Sequence, residues 1–78
     1  MTNREIEKLI KRDLKVNAKV IEKTITVGHS SGTERHLVMA MVKTGVQYFI
    51  ATSYGDGDKA AYAVDSYAEG KSFIIHAI

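Results

Sequence analysis

Ile6, Leu9, Ile10 and Leu14 recur at i, i+3, i+4 and i+8 and draw one apolar stripe through a charged segment. This is the spacing of an amphipathic helix. Thr2 and Glu5 precede it at capping-box spacing, so that a hydroxyl and a carboxylate each serve a backbone amide. Val16-Asn17 is the exit. In Lys19–Val27, Ile21, Ile25 and Val27 share a face with Lys23, while Val20, Glu22, Thr24 and Thr26 form the other. The threonine and valine content predicts a strand, and a lysine inside its apolar face predicts an edge strand or a bulge.

The centre of the chain, residues 37–54, reads as a hairpin. Leu37–Val42 is apolar at every position, the pattern of a strand covered on both faces. Lys43-Thr44-Gly45 is the turn, with Gly45 at its left-handed position. Val46–Thr52 returns as the second strand, with Val46, Tyr48 and Ile50 on one face and Gln47, Phe49 and Ala51 on the other. Between the first strand and this hairpin, residues 28–36 read as a long polar loop carrying His29, Glu34, Arg35 and His36. A loop on a rigid scaffold is a natural binding element.

The rear half is punctuated by Ser53-Tyr54-Gly55-Asp56-Gly57-Asp58, a turn cluster in which Asp56 or Asp58 can cap a helix. Residues 59–70 predict that helix, with Ala60, Ala61, Val64, Tyr67 and Ala68 on one side and Gly70 as its stop. Ser72–Ile78 predicts a last strand, with His76 as a core or interface histidine. The resulting order is α-β-β-β-α-β. The predicted fold is α+β: a two-layer sandwich over residues 1–78 as a single domain, its sheet mostly antiparallel and both helices on one face. The second face of such a sheet is apolar and uncovered, which predicts an interface, with a homodimer or a foreign macromolecule over it.

Composition narrows the picture. The chain has no cysteine, so disulfides and thiolate chemistry are excluded. No apolar run approaches a membrane span, and the N-terminal residues lack the apolar core of a secretory signal. A soluble cytoplasmic protein is expected. The net charge of +2 is unevenly placed. Residues 1–23 carry seven basic and four acidic groups, and residues 46–78 two basic and four acidic. A basic front and an acidic rear steer association with charged partners. On the first helix, Lys8, Lys11, Arg12 and Lys15 lie off the apolar stripe, and Glu5, Glu7 and Asp13 are interspersed among them.

Candidate chemistry is sparse. His29, His36 and Glu34 could meet at a zinc ion if their loop folded back on itself, although their spacing matches no dedicated zinc signature. Ser30, Ser31 and Ser53 lack the setting of a nucleophile elbow. The aspartates of Gly55-Asp56-Gly57-Asp58 oppose a phosphate site, and no P-loop lysine follows. No catalytic, metal-binding or cofactor-binding residue is assigned, and no enzyme activity is expected.

Two resemblances follow. The order α-β-β-β-α over Thr2 to Ala68, with Lys43-Thr44-Gly45 as the second hairpin turn and an echo of the family's central histidine loop in His36, resembles the double-stranded RNA-binding domain. That family places lysines at the start of its second helix, where this chain has Asp56, Asp58 and one lysine, Lys59. In size and style, a tiny cysteine-free α+β chain without a catalytic set, the protein also resembles the phage-encoded inhibitors of host machinery, anti-CRISPR proteins among them; no motif carries that likeness. It implies a host cytoplasmic location and action by surface occupancy.

The expected function is therefore non-enzymatic binding to a macromolecular partner, a protein rather than nucleic acid. Its concrete form is inhibition of a host nucleic-acid-processing or defence complex. The alternative is a nucleic-acid-binding module built on the basic first helix. Candidate partner-binding residues are Arg4, Lys8, Lys11, Arg12, Lys15, Lys19, His29, Glu34, Arg35 and His36.

Overall fold

The computed structural model describes residues 1–76. In chain order it contains α1 (Asn3–Leu14), β1 (Lys19–Gly28), β2 (Glu34–Val42), β3 (Gly45–Ser53), β4 (Lys59–Val64) and α2 (Tyr67–His76). The fold is α+β, and the four strands form one antiparallel sheet in the order β1-β2-β3-β4.

α1 forms as its periodicity dictates. The Thr2 hydroxyl accepts from Glu5 N and the Glu5 carboxylate accepts from Thr2 N, each at 3.2 Å. Ile6, Leu9 and Ile10 are buried, and the helix ends where Lys15 turns left-handed at φ 59° and its N–H returns to Lys11 O. β1 is both an edge strand and a bulged one, with register shifts at Val20/Glu22 and Lys23/Ile25. The misfit of Lys23 in the strand pattern reflects these bulges. The β2–β3 turn passes through Lys43-Thr44 and closes on Gly45 at φ 129°.

The rear half differs from expectation. Residues 59–64 are not helical but form β4, paired with β3 from Ser53↔Lys59 to Tyr48↔Val64. Alanine is neutral to period, so Ala60, Tyr62 and Val64 satisfy an alternating pattern as well as a helical one. The preceding turn decides between them. Asp56 Oδ1 accepts from Asp58 N at 3.0 Å, Gly57 takes φ 95°, and Tyr54 N donates to Asp58 O at 2.7 Å. These bonds make a hairpin loop, not a helix cap. The helix starts later, where Ser66 Oγ accepts from Glu69 N at 3.1 Å, and it runs through the segment expected to be the last strand, as far as His76. Residues 77 and 78 and the side chain of His76 lie outside the described set, and with them the reading of His76 as a core histidine.

Gly70 does not stop this helix. It lies inside α2, buried, and a Cβ built on it would come 2.4 Å from Leu37 Cδ1 and 3.2 Å from Val64 Cγ2. The glycine lets α2 seat directly on β2 and β4. α2 therefore packs on the face of Leu37, Ile50 and Val64, whereas α1 packs on the opposite face, that of Val38, Ala40, Phe49, Ala51 and Ala61. The helices sandwich the sheet in three layers; the expectation that both share one face of a two-layer fold is corrected. The doubly apolar β2 required cover on both sides, and α2 supplies the second cover.

Candidate functional site

Each carboxylate of α1 is turned to internal work. Glu5 accepts from Thr2 N and meets Lys59 Nζ at 3.3 Å. Both contacts hold its carboxyl below the usual range, the Thr2 amide foremost. Glu7 accepts from Val20 N at 2.9 Å. Asp13 accepts from Arg12 Nε at 2.7 Å and from Ala61 N at 2.9 Å. The Arg12 guanidinium, then the Ala61 amide, hold the Asp13 carboxyl low, and Asp13 in turn raises Arg12. Arg12 also donates to Lys59 O at 2.7 Å.

What remains outward on α1 is a row of cations. Arg4, Lys8 and Lys11 are all exposed and recur at i, i+4 and i+7, so they share one ridge, and the exposed C-cap Lys15 follows it past the helix end. It points away from the buried arc of Ile6, Leu9 and Ile10. The carboxylates interspersed with these cations in sequence do not interrupt the ridge in space. Lys15 Nζ also donates to Arg12 O at 3.1 Å, satisfying a terminal helix carbonyl. Beyond Lys15, a groove of about 340 Å³ is lined by Lys15, Asn17, Lys43, Thr44 and Gln47 together with Val16 and Val42. A second groove, of about 230 Å³, lies between α1 and β4 against Lys8, Arg12 and Lys59, but Glu5 lines it too.

The ten residues singled out in sequence do not form one surface. Arg12 is committed to the β4 backbone. Lys19 pairs across to Met41, on the α2 side of the sheet. The expected long loop is only the turn at residues 29–33, because β2 begins at Glu34. Glu34, Arg35 and His36 are thus strand residues with alternating orientation. His36 is buried, with Nδ1 3.1 Å from Thr26 Oγ1 and Nε2 3.4 Å from Glu34 Oε2, the latter without hydrogen-bond geometry. Burial pushes its pKa down, the amino group of Met1 adds to this, and Glu34 opposes. Glu34 also meets the Met1 amine at 3.6 Å. Arg35 is half-buried on the α2 face. His29 lies in the exposed turn, where Nδ1 meets Ser31 Oγ at 3.1 Å. That contact spans two residues of one turn and braces it. Among the described residues, no three His, Cys, Asp or Glu side chains converge as a metal site.

Sequence reasoning placed Met41 and Val46 in strands but did not single them out. They face each other in the β2–β3 register on the α2 face and are 46% and 54% exposed. α2 does not cover them: its first residue, Tyr67, lies against Tyr48, one pair further along the strands. The next pair inward, Met39 and Tyr48, is half-buried, and the Tyr48 ring meets Tyr67 of α2 edge-on with centroids 6.0 Å apart. Lys19 beside Met41 and Glu22 beside Met39 form the polar border.

Comparison with protein-family models, with curated proteins and with solved structures finds no match to this chain. The double-stranded RNA-binding resemblance also fails on topology. A fourth strand precedes the second helix, the helices lie on opposite faces, and α2 opens on Tyr67-Ala68-Glu69 with no lysine in its first turn. Among the described residues, no helix is long and apolar enough to cross a membrane.

Proposed function

We propose that the chain is a non-enzymatic binding protein that occupies a surface of a protein partner, and that the contact is made by Met41, Val46, Tyr48 and Tyr67. The observation that carries this reading is the exposed Met41–Val46 pair on a sheet face that α2 covers only in part. Methionine and tyrosine are enriched at the cores of protein interfaces, where charge is depleted and a polar rim surrounds the contact. Here Lys19 and Glu22 supply that rim. Inhibition of a host nucleic-acid-processing or defence complex, by masking one of its surfaces, is the concrete form of this function.

The test is affinity capture with the immobilised chain, comparing wild type with Met41→Asp/Val46→Asp. Both positions are exposed, and circular dichroism and a thermal melt check that the double variant is folded before capture is scored. A protein held by wild type and lost from the double variant supports the assignment. An identical set captured by both rejects it. A dimer seen by light scattering and abolished by the same variant would instead put a second copy of the chain on this face.

A further inference from the structure

We propose that the outer ridge of α1 is a second, separate binding surface, and that it docks on the phosphate backbone of duplex DNA without reading its sequence. Arg4, Lys8 and Lys11 on α1 and Lys15 at its C-cap span twelve residues, about 16 Å along the helix axis. All are exposed, and the carboxylates of the same helix are held by Thr2 N, Val20 N and Ala61 N. Lys59 and Arg12, the flanking cations, are neutralised by Glu5 and Asp13. The ridge is therefore a single-sign strip on a molecule of net charge only +2. Lys43, across the groove from Lys15, extends it with Asn17, Thr44 and Gln47 as further hydrogen-bonding groups.

The chemistry of the ridge selects among polyanions. Protein interfaces concentrate apolar and aromatic anchors at the centre of the contact, and every large apolar side chain of α1 points inward. Release of counterions from a polyphosphate requires only charge. Single-stranded binding draws on stacked aromatic side chains, and α1 has none. The outer face of a surface helix can lie along the roughly 12 Å major groove of B-form DNA and meet its flanking phosphates. The deep, narrow major groove of A-form RNA does not admit it.

The experiment is fluorescence anisotropy of the full chain with a labelled 20-base-pair DNA duplex, a duplex RNA of the same sequence and labelled poly-glutamate. Duplex DNA is expected to bind on the order of micromolar at about 50 mM salt and to weaken roughly a hundredfold by about 200 mM, as four phosphate contacts require. Two DNA sequences should bind alike. Arg4→Glu/Lys8→Glu/Lys11→Glu should lower affinity by at least about tenfold, while Lys71→Glu on α2 should not. Lys8→Gln and Lys11→Gln, which keep the fold neutral to charge reversal, should each reduce the salt slope by about one. Absence of DNA binding at low salt, tighter binding of duplex RNA or of poly-glutamate, or unchanged affinity in the ridge variants would overturn the assignment.

Discussion

Asp13 Oδ2 accepts the backbone N–H of Ala61 at 2.9 Å, and beside it Arg12 donates to Lys59 O at 2.7 Å. A helix side-chain pair thereby occupies a donor and an acceptor on the edge strand β4. At the other edge, Glu7 takes Val20 N of β1, and two bulges disrupt that strand. Exposed strand edges invite pairing with other chains, and α1 closes part of both. Asp13→Ala should cost about 0.5–1.5 kcal/mol, the range of a lost hydrogen bond, and should promote self-association through β4. Asp13→Asn, which keeps an acceptor, should cost less. Denaturant titration and light scattering measure the two effects.

The same residue shapes acid stability. Arg12 and the Ala61 amide lower the Asp13 pKa from its ordinary 3.8. A lowered carboxyl stabilises the fold fully above the unfolded value, and that contribution is lost as pH falls through the folded value. Asp13→Asn should therefore flatten the acid limb of the stability curve below about pH 4. An acid limb unchanged in the variant would show that the pair does not contribute.

Gly70→Ala should destabilise the protein although alanine favours helix by about 1 kcal/mol. The added methyl would come 2.4 Å from Leu37 Cδ1, inside a fully buried cluster. Overpacking of this kind costs about 1–3 kcal/mol. Leu37→Val removes that terminal methyl, so the double variant should be more stable than the sum of the single changes predicts. Thermal melts of all four proteins decide it.

His36 predicts a second pH response, nearer neutrality. Its folded pKa lies below the ordinary 6.5 because burial disfavours the imidazolium. The unfolded chain then binds more protons, so stability is full above about pH 6.5 and declines as pH falls toward the folded value. Glu34, the Met1 amine and Lys23 are the charges acting on it. His36→Gln should remove this slope in denaturant midpoints measured between about pH 5 and 7.5; a slope retained in the variant would assign it elsewhere.

The front of the fold was legible because long apolar periods leave few options: Ile6, Leu9 and Ile10 are buried as spaced, and the hairpin turns at Gly45. The rear was not legible. Residues 59–70 are rich in alanine, whose small side chain marks neither period and whose propensity favours helix, so pairing with β3 overrides the local signal; the usual role of glycine at a helix end likewise hides the contact with Leu37 that places Gly70 inside one. Of the candidate surface, the lysines were visible and their isolation from Glu5, Glu7 and Asp13 was not. One trace existed: Asp13 falls within the apolar arc of α1, between Leu9 and Ile6 in projection, and an acid there must meet a buried-side partner. Met41 and Val46 gave no such trace, since their exposure depends on where α2 begins.

Thr52 Oγ1 is buried with no hydrogen-bond partner. Its desolvation is uncompensated, and valine has nearly the same shape. Thr52→Val should raise stability by about 0.5–2 kcal/mol, a melting increase of roughly 4–8 °C per kcal/mol in a domain of this size. Differential scanning calorimetry tests it, and a lower melting temperature would mean that the hydroxyl has a partner in solution.

The two proposed surfaces lie on opposite sides of the sheet, the ridge on α1 and the Met41–Val46 pair beside α2. They share no side chain, and substitutions that are distant and share no partner act independently. Met41→Asp/Val46→Asp should therefore leave duplex-DNA affinity within about twofold of wild type, the remainder being the small field of two added acids. Arg4→Glu/Lys8→Glu/Lys11→Glu should likewise leave protein capture intact in buffer at near-physiological salt. If the ridge variant also abolishes capture, the partner's acidic surface wraps α1, and one continuous interface replaces two. If the Met41/Val46 variant also abolishes DNA binding, the duplex crosses the sheet end near Lys19 and Lys43, and the contact must be redrawn there. Independent loss in each assay would establish two separable surfaces, one for a protein partner and one for DNA, that chemistry alone distinguishes.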